Sequence, residues 1–249
     1  MSPDHPTLDS SPDRAADPTA SAPSPRRAAV IPAYQAAPWI GQVVRDTLDV
    51  MQRVLVVDDG STDGTGVAAQ EAGAEVLRIG NNRGKGHALR RAFDFLFTEV
   101  DEIVTLDADG QHVPAEIPKL LAARERTGAG LVLGTRDHLF AEMTPLRRFA
   151  NTLSSRLIST AAGRTMLDIQ TGFRLYAREL IAVTGFPEHR FEAESAVVVR
   201  TLRRGLDLAT VPVRLAVVDG RATSHFRPLV DSLRIAHAVI GARFERSEG

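Results

Sequence analysis

Two aspartates stand one residue apart at the end of an apolar run, in the stretch TLDADGQH at residues 105–112. If this stretch is extended, Asp107 and Asp109 point to the same side of the backbone, where their negative charges repel each other. A hard cation such as Mg²⁺ or Mn²⁺ relieves that repulsion, with phosphate oxygens and water filling its other positions. The alternative is an ordinary Asp-Gly turn. His112 is either a further ligand or hydrogen-bond partner, or a solvated loop residue.

A second acidic stretch, VVDDGSTDGT at residues 56–65, ends another apolar run. An acid in this position, Asp58 or Asp59, can accept hydrogen bonds from the base or ribose of a nucleotide. The small polar residues that follow, Ser61 to Thr65, favour turns and helix caps. We expect both roles, a nucleotide contact for an aspartate and capping for the rest.

The stretch NNRGKGHALRRAF at residues 81–93 places glycines and Lys85 at a predicted helix N-terminus. Its N–H groups either bind an anion or simply start the helix. It is not a Walker A loop, because no glycine stands five positions before Gly84 and no Ser or Thr follows Lys85. It also lacks the third glycine of a dinucleotide-binding fingerprint, which argues against ATPases and dehydrogenases.

Charged residues in the second half of the chain could add to such a site. Three arginines either bind a phosphate through their guanidinium groups or form a solvated basic face. They are Arg136, Arg147 and Arg148. Glu192 and Glu194 open a predicted helix, where the dipole stabilises acids, and a catalytic role for them is secondary. The chain has neither a Ser-His-Asp spacing nor an HExxH motif, so a hydrolase is not supported.

The elements that would position these residues alternate along the first half of the chain. The patterns predict strands at 28–31, 53–59, 75–79, 102–107 and 130–135, and helices at 38–51, 64–73, 84–97 and 114–126. Nearly continuous apolar strands between helices predict an α/β fold, a mostly parallel sheet flanked by helices. Ligands of such sheets bind beyond the carboxyl ends of the strands. Five polar loops follow the five strands there, which favours one site and a metal over a simple turn.

The pattern weakens beyond residue 140. We predict helices at 145–161, 191–205 and 228–244 and strands at 171–177 and 206–215. The last helix carries an apolar stripe of Leu229, Leu233, Ala236 and Ile240.

Composition limits the remaining possibilities. The chain has 249 residues, 43% of them hydrophobic, which suits one sizeable domain. Residues 1–27 hold six of the 14 prolines and few large apolar side chains, so we expect a disordered tail followed by one domain at 28–249. A net charge of -1 gives no case for nucleic-acid binding, and the absence of cysteine excludes disulfides. No apolar run is long enough to predict a membrane span.

Taken together, these motifs resemble family 2 glycosyltransferases with the GT-A fold, and within them the dolichyl- or polyprenyl-phosphate mannose or glucose synthases. The resemblance runs in order over about residues 28–235, through VIPAYQ, VVDDGSTDGT, NRGKGHALRRAF, VTLDADGQHVPAEIP, GTRD, TGFRLY, RFEAE, VPV and SHFRP. DADGQH together with RGKG is specific within the superfamily. The resemblance therefore implies a Rossmann-like GT-A fold.

The resemblance also implies roles for individual residues. Nucleotide-binding residues would be Pro32, Ala33, Tyr34, Asp58, Asp59, Lys85 and Ala108. Asp107, Asp109 and Gln111 would hold Mg²⁺ or Mn²⁺ on the donor diphosphate. Arg136, Arg148 and Arg221 would face the acceptor phosphate, with Arg136 and the two aspartates taking part in catalysis.

The activity implied is inverting transfer of mannose or glucose from a GDP- or UDP-sugar donor to a polyprenyl phosphate, a lipid-phosphate acceptor, by a cytoplasmic protein at the inner membrane face. One alternative keeps the fold with a soluble, protein or glycan acceptor, and another is a nucleotide-sugar binding protein without turnover. A sugar-1-phosphate nucleotidyltransferase is disfavoured, because PAYQAAPW after the first strand is not a Gly-rich basic loop.

Two departures from the related synthases stand out. Gln35 and Ala36 replace the usual Asn and Glu of PAYNE, which leaves the identity of the base open. Many relatives also carry C-terminal membrane spans, and this chain has none that the sequence predicts. Its last helix, with basic residues such as Arg234 and His237, either lies on a membrane surface or packs on its own domain.

Overall fold

The structure is a computed structural model that describes residues 24–135, 171–216, 234–235 and 237–242. These ranges contain seven strands and six labelled helices. In order they are β1 (Arg27–Ala33), α1 (Ala37–Leu48), β2 (Val54–Asp58), α2 (Thr65–Glu71), β3 (Glu75–Arg78), α3 (Lys85–Leu96), β4 (Glu102–Thr105), a 3₁₀ turn (Pro114–Glu116), α4 (Ile117–Thr127), β5 (Leu131–Thr135), β6 (Arg174–Ala177), α5 (Arg178–Thr184), α6 (Glu192–Arg203) and β7 (Leu208–Pro212).

The described strands form one sheet in the order β3-β2-β1-β4-β6-β5-β7. All neighbouring pairs are parallel except those of β6, which runs antiparallel to both β4 and β5. The predicted mostly parallel α/β sheet is therefore confirmed. Strand order reverses between β1 and β4, and ligands of open sheets bind in the crevice at such a point.

The crevice opens at Pro32, where backbone hydrogen bonding between β1 and β4 stops. The N–H of Ala29 donates to Arg53 on the β2 side, while the N–H of Leu106 donates to Val30 on the β4 side. Because alternate residues of a strand address opposite neighbours, the nitrogen of Pro32 faces β4, which has already ended at Thr105. A central strand tolerates proline where no partner needs its N–H, so β1 and β4 separate here.

Apolar side chains cover both faces of the sheet. On one face, α3, α6 and the helical residues 234–235 and 237–242 pack in a cluster that includes Phe93, Val197 and Ile235. On the other, α1, α2 and α4 pack around residues such as Ile40 and Leu120. This explains why the five inner strands lack polar alternation, since both of their faces are buried.

Most predicted elements in the described ranges are confirmed with shifted ends, and three elements differ from the prediction in other ways. Helix α5 was not predicted, because its seven residues are too short for a clear helical period. The strand predicted at 171–177 begins only at Arg174. In the last helix, Ile240 is 57% exposed while Ile235 and Val239 are buried against the core, so the predicted stripe is wrong at that position.

The described part of the last helix packs on the domain itself. This agrees with the packing alternative for that helix and not with the membrane-surface alternative. The helix predicted at 145–161, and Leu229, Leu233 and Ala236 of the predicted stripe, lie outside the described residues. None of the helices in the described ranges is long and apolar enough to cross a bilayer.

Candidate active site

The loops after β1 and β2 are joined by side-chain hydrogen bonds. Gln35 adopts a left-handed φ of 53°, and its side-chain amide exchanges bonds of 3.2 and 3.0 Å with Thr62. The N–H of Ala36 donates to Thr65 at 2.8 Å, and that of Ala37 donates to Asp63 at 3.0 Å. Neither Ala36 nor Gly64, the N-cap residues of α1 and α2, provides a side-chain cap bond. Among residues 61–65 the predicted capping is confirmed for Asp63, which accepts the N–H groups of Ala37 and Thr65, the first residues of the two helices.

Asp58 and Asp59 are both buried and both organise loops. Asp58 accepts the N–H of Ser61 at 2.9 Å, and Asp59 accepts those of Arg83 and Gly84 at 3.0 and 2.7 Å. Burial raises the pKa of Asp59 above its usual value, although those two N–H bonds favour its charged form. Asp59 thus ties the loop after β2 to the start of α3. Contact of either aspartate with a nucleotide stays a prediction, as do the roles of Pro32, Ala33, Tyr34 and Ala108.

The glycines of the RGKG stretch let α3 approach the segment before α6. A Cβ on Gly86 would lie 2.7 Å from the carbonyl oxygen of Arg190 and 2.8 Å from that of Glu188. The N–H of His87 donates to the carbonyl of His189 at 2.8 Å. Since Asp59 takes the N–H of Gly84, this helix start has internal partners. The plain helix-start alternative is favoured over an anion site.

The side chain of Lys85 does not remain in that loop but lies in a buried cluster of charges. Its ammonium lies 2.6 Å from Asp107 Oδ1 and 3.0 Å from Glu194 Oε2. Burial alone would lower the pKa of Lys85, but the charges of Asp107 and Glu194 outweigh burial and raise it. Lys85 is therefore a permanent cation at the base of the crevice. Its predicted contact with a nucleotide stays a prediction.

Arg174 and Gly172, from the entry to β6, complete the cluster. Arg174 is fully buried and donates to the carbonyls of Thr171 and Glu194 at 2.6 and 2.5 Å. A Cβ on Gly172 would lie 2.5 Å from both Asp107 Oδ1 and Lys85 Nζ. A side chain at this position would force the charged ends of this ion pair to move.

A turn, not an extended strand, carries the second aspartate. β4 ends at Thr105, residues 108–109 form a turn, and Asp109 Oδ1 accepts the N–H of Gln111 at 3.0 Å. The prediction that both carboxylates share one side of extended backbone is therefore wrong. Both aspartates nevertheless follow β4 directly, at the crevice where the sheet order reverses.

His112 fixes the backbone of the first aspartate. Its ring is buried and stacks on Phe173 at 5.2 Å, and its Nδ1 accepts the N–H of Asp107 at 2.9 Å. The hydrogen-bonding role is confirmed, and the solvated-loop alternative is wrong. Because Nδ1 is the acceptor, the proton of the neutral ring resides on Nε2.

A pair of substitutions separates these two roles of His112. We expect His112→Phe, which keeps a ring but removes the acceptor, to lower the free energy of unfolding by about 1–3 kcal/mol, because the N–H of Asp107 loses its partner. His112→Asn retains an acceptor near Nδ1 and should keep the turn while losing the stacking. Urea unfolding and Mn²⁺ affinity measure the two effects. Equal Mn²⁺ affinity in both variants would contradict the positioning role.

The donor atoms of the turn suit a hard cation. Asp107 and Asp109 supply carboxylate oxygens and Gln111 supplies an amide oxygen, and the side chain of Asp107 is 35% exposed. Among the described residues, no group of three or more His, Cys, Asp and Glu side chains converges. Mg²⁺ needs no such cage, since one or two carboxylates plus phosphates and water suffice. The residues present fit that group.

Sequence reasoning missed part of this site. Glu194 was assigned mainly to helix-dipole stabilisation, and Gly172 and Arg174 had no role, although TGFRLY and RFEAE were among the motifs of the resemblance. The three residues meet Lys85 only after folding, so no local pattern could have joined them. Arg136, Arg147, Arg148 and Arg221 lie outside the described residues. The predicted catalytic role of Arg136 and the predicted acceptor-phosphate roles of Arg136, Arg148 and Arg221 stay predictions.

Comparison with known families decides what this arrangement belongs to. The family model described as "Glycosyl transferase family 2" matches residues 28–184, more than half of the chain. The protein is a member of glycosyl transferase family 2. The predicted family is therefore confirmed, and its matched region begins with β1 and includes the crevice, the turn at residues 108–109 and the start of α3 at Lys85.

Relatives within the family differ in how much of their length the chain covers. The glycosyltransferase AglJ of Haloferax volcanii is 32% identical over 187 residues, which are 73% of this chain and 60% of AglJ. The chain thus spans less than two thirds of that relative. The polyprenol monophosphomannose synthase of Mycolicibacterium smegmatis is 29% identical, and the alignment covers 94% of each protein.

Solved structures support the fold. Glucosyl-3-phosphoglycerate synthase of Mycobacterium tuberculosis, solved with Mn²⁺, UDP-glucose and phosphoglyceric acid, superposes with a TM-score of 0.72. The match covers 91% of this chain and 82% of that one, at 21% identity. At that identity the likeness concerns the fold alone. The predicted GT-A fold of this family 2 protein is confirmed.

Proposed function

We propose that this family 2 protein is an inverting, metal-dependent hexosyltransferase. It would move mannose or glucose from a GDP- or UDP-sugar to a polyprenyl phosphate. The observation that carries the proposal is the crevice between β1 and β4, where Asp107 and Asp109 follow the end of β4 at the same edge of the sheet as the loops after β1 and β2. The full-length similarity to a polyprenol monophosphomannose synthase supports the lipid-phosphate acceptor. We place the reaction in one domain, residues 28–249, at the cytoplasmic face of a membrane.

Each side chain of the crevice has a task in this proposal. Asp107, Asp109 and Gln111 would hold Mg²⁺ or Mn²⁺, which when bound neutralises charge developing on the leaving diphosphate. Tyr34 and Asp59, on the loops after β1 and β2, would bind the nucleoside. Lys85 donates to the side chain of Asp107, and His112 accepts the backbone N–H of Asp107. The two contacts together hold Asp107 in place.

The transfer itself requires little proton chemistry. An oxygen of the acceptor phosphate forms a bond to the anomeric carbon from the face opposite the diphosphate. The bond between that carbon and the diphosphate oxygen breaks, and its electron pair leaves with the nucleoside diphosphate. Because the acceptor phosphate is already ionised near neutral pH, the protein needs no strong general base.

Calorimetric titration with GDP and UDP tests the donor side. We expect one of the two to bind with Mg²⁺ or Mn²⁺ present and to lose at least tenfold in affinity in EDTA, because the carboxylates repel a bare diphosphate. Binding would also reveal the base that accompanies Gln35 and Ala36. Failure of both nucleotides to bind a folded sample would contradict the proposal and favour an unusual donor or a degenerate site.

Transfer of radiolabelled hexose to polyprenyl phosphate tests the acceptor side. The matched control is the same polyprenol without its phosphate, which should receive no sugar because its hydroxyl is a poor nucleophile without a base. Equal labelling of both lipids, or labelling only of a soluble acceptor, would contradict a lipid-phosphate acceptor while leaving the glycosyltransferase family unchanged.

A further inference from the structure

Among the described residues, four charged side chains meet at the base of the crevice, and their charges cancel. Lys85 and Arg174 supply two cations, and Asp107 and Glu194 supply two carboxylates. The side chains of Lys85, Arg174 and Glu194 are 13%, 0% and 7% exposed, against 35% for Asp107. The cluster is thus a buried, neutral unit that meets the crevice through Asp107.

Lys85 is shared unequally between its two carboxylates. It lies closer to Asp107 than to Glu194, at 2.6 against 3.0 Å. The other oxygen of Glu194, Oε1, is buried without a hydrogen-bond partner among the described residues, and Arg174 Nε lies 3.7 Å from it. Buried carboxylate oxygens without partners are costly, so Glu194 retains capacity to accept a further N–H from Lys85.

We propose that Lys85 is a resident counter-ion that holds Asp107 until metal and donor arrive and then shifts toward Glu194. The proposal rests on the proposed function, because it concerns the metal that Asp107 would hold. Lys85 and Glu194 act through Asp107 and are positioning residues. Gly172 supports this arrangement, since its missing side chain leaves the ion pair in direct contact with the backbone of the β6 entry.

One consequence is that metal and donor bind together. A dication approaching Asp107 meets the fixed positive charge of Lys85, which opposes binding in a site of low dielectric. The negative diphosphate of the donor offsets that repulsion. The protein without nucleotide should therefore bind Mn²⁺ weakly, and the two ligands should strengthen each other reciprocally.

Mn²⁺ binding to the nucleotide-free protein, followed by electron paramagnetic resonance of free Mn²⁺, tests the proposal. Lys85→Met removes the competing cation and should tighten Mn²⁺ binding by about tenfold. Glu194→Gln leaves Lys85 with Asp107 alone and should weaken Mn²⁺ binding by about tenfold. The opposite signs are the characteristic result, because a merely structural role would weaken binding in both variants.

Two further variants keep the experiment decisive. Lys85→Met combined with Glu194→Gln removes one cation and one carboxylate of the cluster, so it keeps the charges balanced if either single variant fails to fold. It should also bind Mn²⁺ more tightly than the unchanged protein. Arg53→Met removes a cation that pairs with Glu75 and Glu99 next to β2's start, and should leave Mn²⁺ affinity unchanged.

The outcomes separate this inference from the proposed function. Metal binding that appears only with nucleotide in the unchanged protein, but does not tighten in the lysine variants, would overturn the counter-ion role alone. An unchanged protein that binds no Mn²⁺ with GDP or UDP would overturn both the metal-dependent function and this inference. Tightening in Lys85→Met, loss of reciprocal strengthening and weakening in Glu194→Gln would together support it.

Discussion

Replacing Asp109 by asparagine is expected to abolish metal-dependent donor binding and leave the fold intact. Asparagine keeps the Oδ1 atom that accepts the N–H of Gln111, so the turn after β4 survives. The substitution removes one of the two carboxylate charges that would hold the cation. Metal stabilisation of a leaving diphosphate is worth several kcal/mol, so the transfer rate should fall by roughly a thousandfold or more.

Calorimetry with Mn²⁺ and the preferred nucleotide, together with urea unfolding, measures both parts of this expectation. The unfolding free energy should stay within about 0.5 kcal/mol, the range of surface substitutions. Asp46→Asn is a matched control. Asp46 lies in the last turn of α1, where its exposed carboxylate accepts a hydrogen bond from Gln42. Normal donor binding by Asp109→Asn with Mn²⁺ present would show that the central assignment of the site is wrong.

Replacing Gly172 by alanine should cost both stability and donor binding. The new Cβ would lie 2.5 Å from Asp107 Oδ1 and from Lys85 Nζ, distances at which atoms must move. The peptide of Gly172 cannot easily retreat, because its carbonyl accepts a 2.8 Å bond from the buried Thr105 hydroxyl. Overpacking of this kind costs about 1–3 kcal/mol, and here it also separates the ion pair that holds Asp107.

The control for this variant is Gly80→Ala, where an added Cβ would meet nothing within 4 Å. It should match the unchanged protein in unfolding free energy to within about 0.5 kcal/mol and in Mn²⁺ affinity. The two variants of the site thus differ in kind: Asp109→Asn loses function with the fold retained, and Gly172→Ala loses both. Wild-type Mn²⁺ affinity in Gly172→Ala would contradict the described contact.

Local patterns predicted much of the first half of the chain. Strands of continuous apolar residues and amphipathic helices such as α3 follow from hydrophobic period, which depends only on neighbours in sequence. The ends shifted by a few residues because contacts with other segments also influence where an element begins. Asp63, for example, accepts the N–H of Ala37 from another loop, and no pattern within residues 36–39 encodes that bond.

The place of β6 could not be predicted in this way. It pairs antiparallel with β4 and β5, with Thr105 opposite Arg174 across about seventy residues of chain. A period of alternation gives the type of an element, whereas strand order depends on which buried surfaces complement one another. The register of β6 brings Gly172 against the Lys85–Asp107 pair, and it therefore shapes the candidate site.

By itself, the sequence determined an open α/β sheet whose polar loops gather at the carboxyl ends of its strands, and two closely spaced carboxylates in DADGQH that suit a hard cation. These follow from hydrophobic period, turn chemistry and charge, which act over a few residues. Only the tertiary structure decided that Lys85 bridges Asp107 and Glu194, that His112 is buried and accepts the N–H of Asp107, and that Gly172 lies against the ion pair. Those contacts join segments far apart in the chain, and they exist because packing on both faces of the sheet sets one strand order and register.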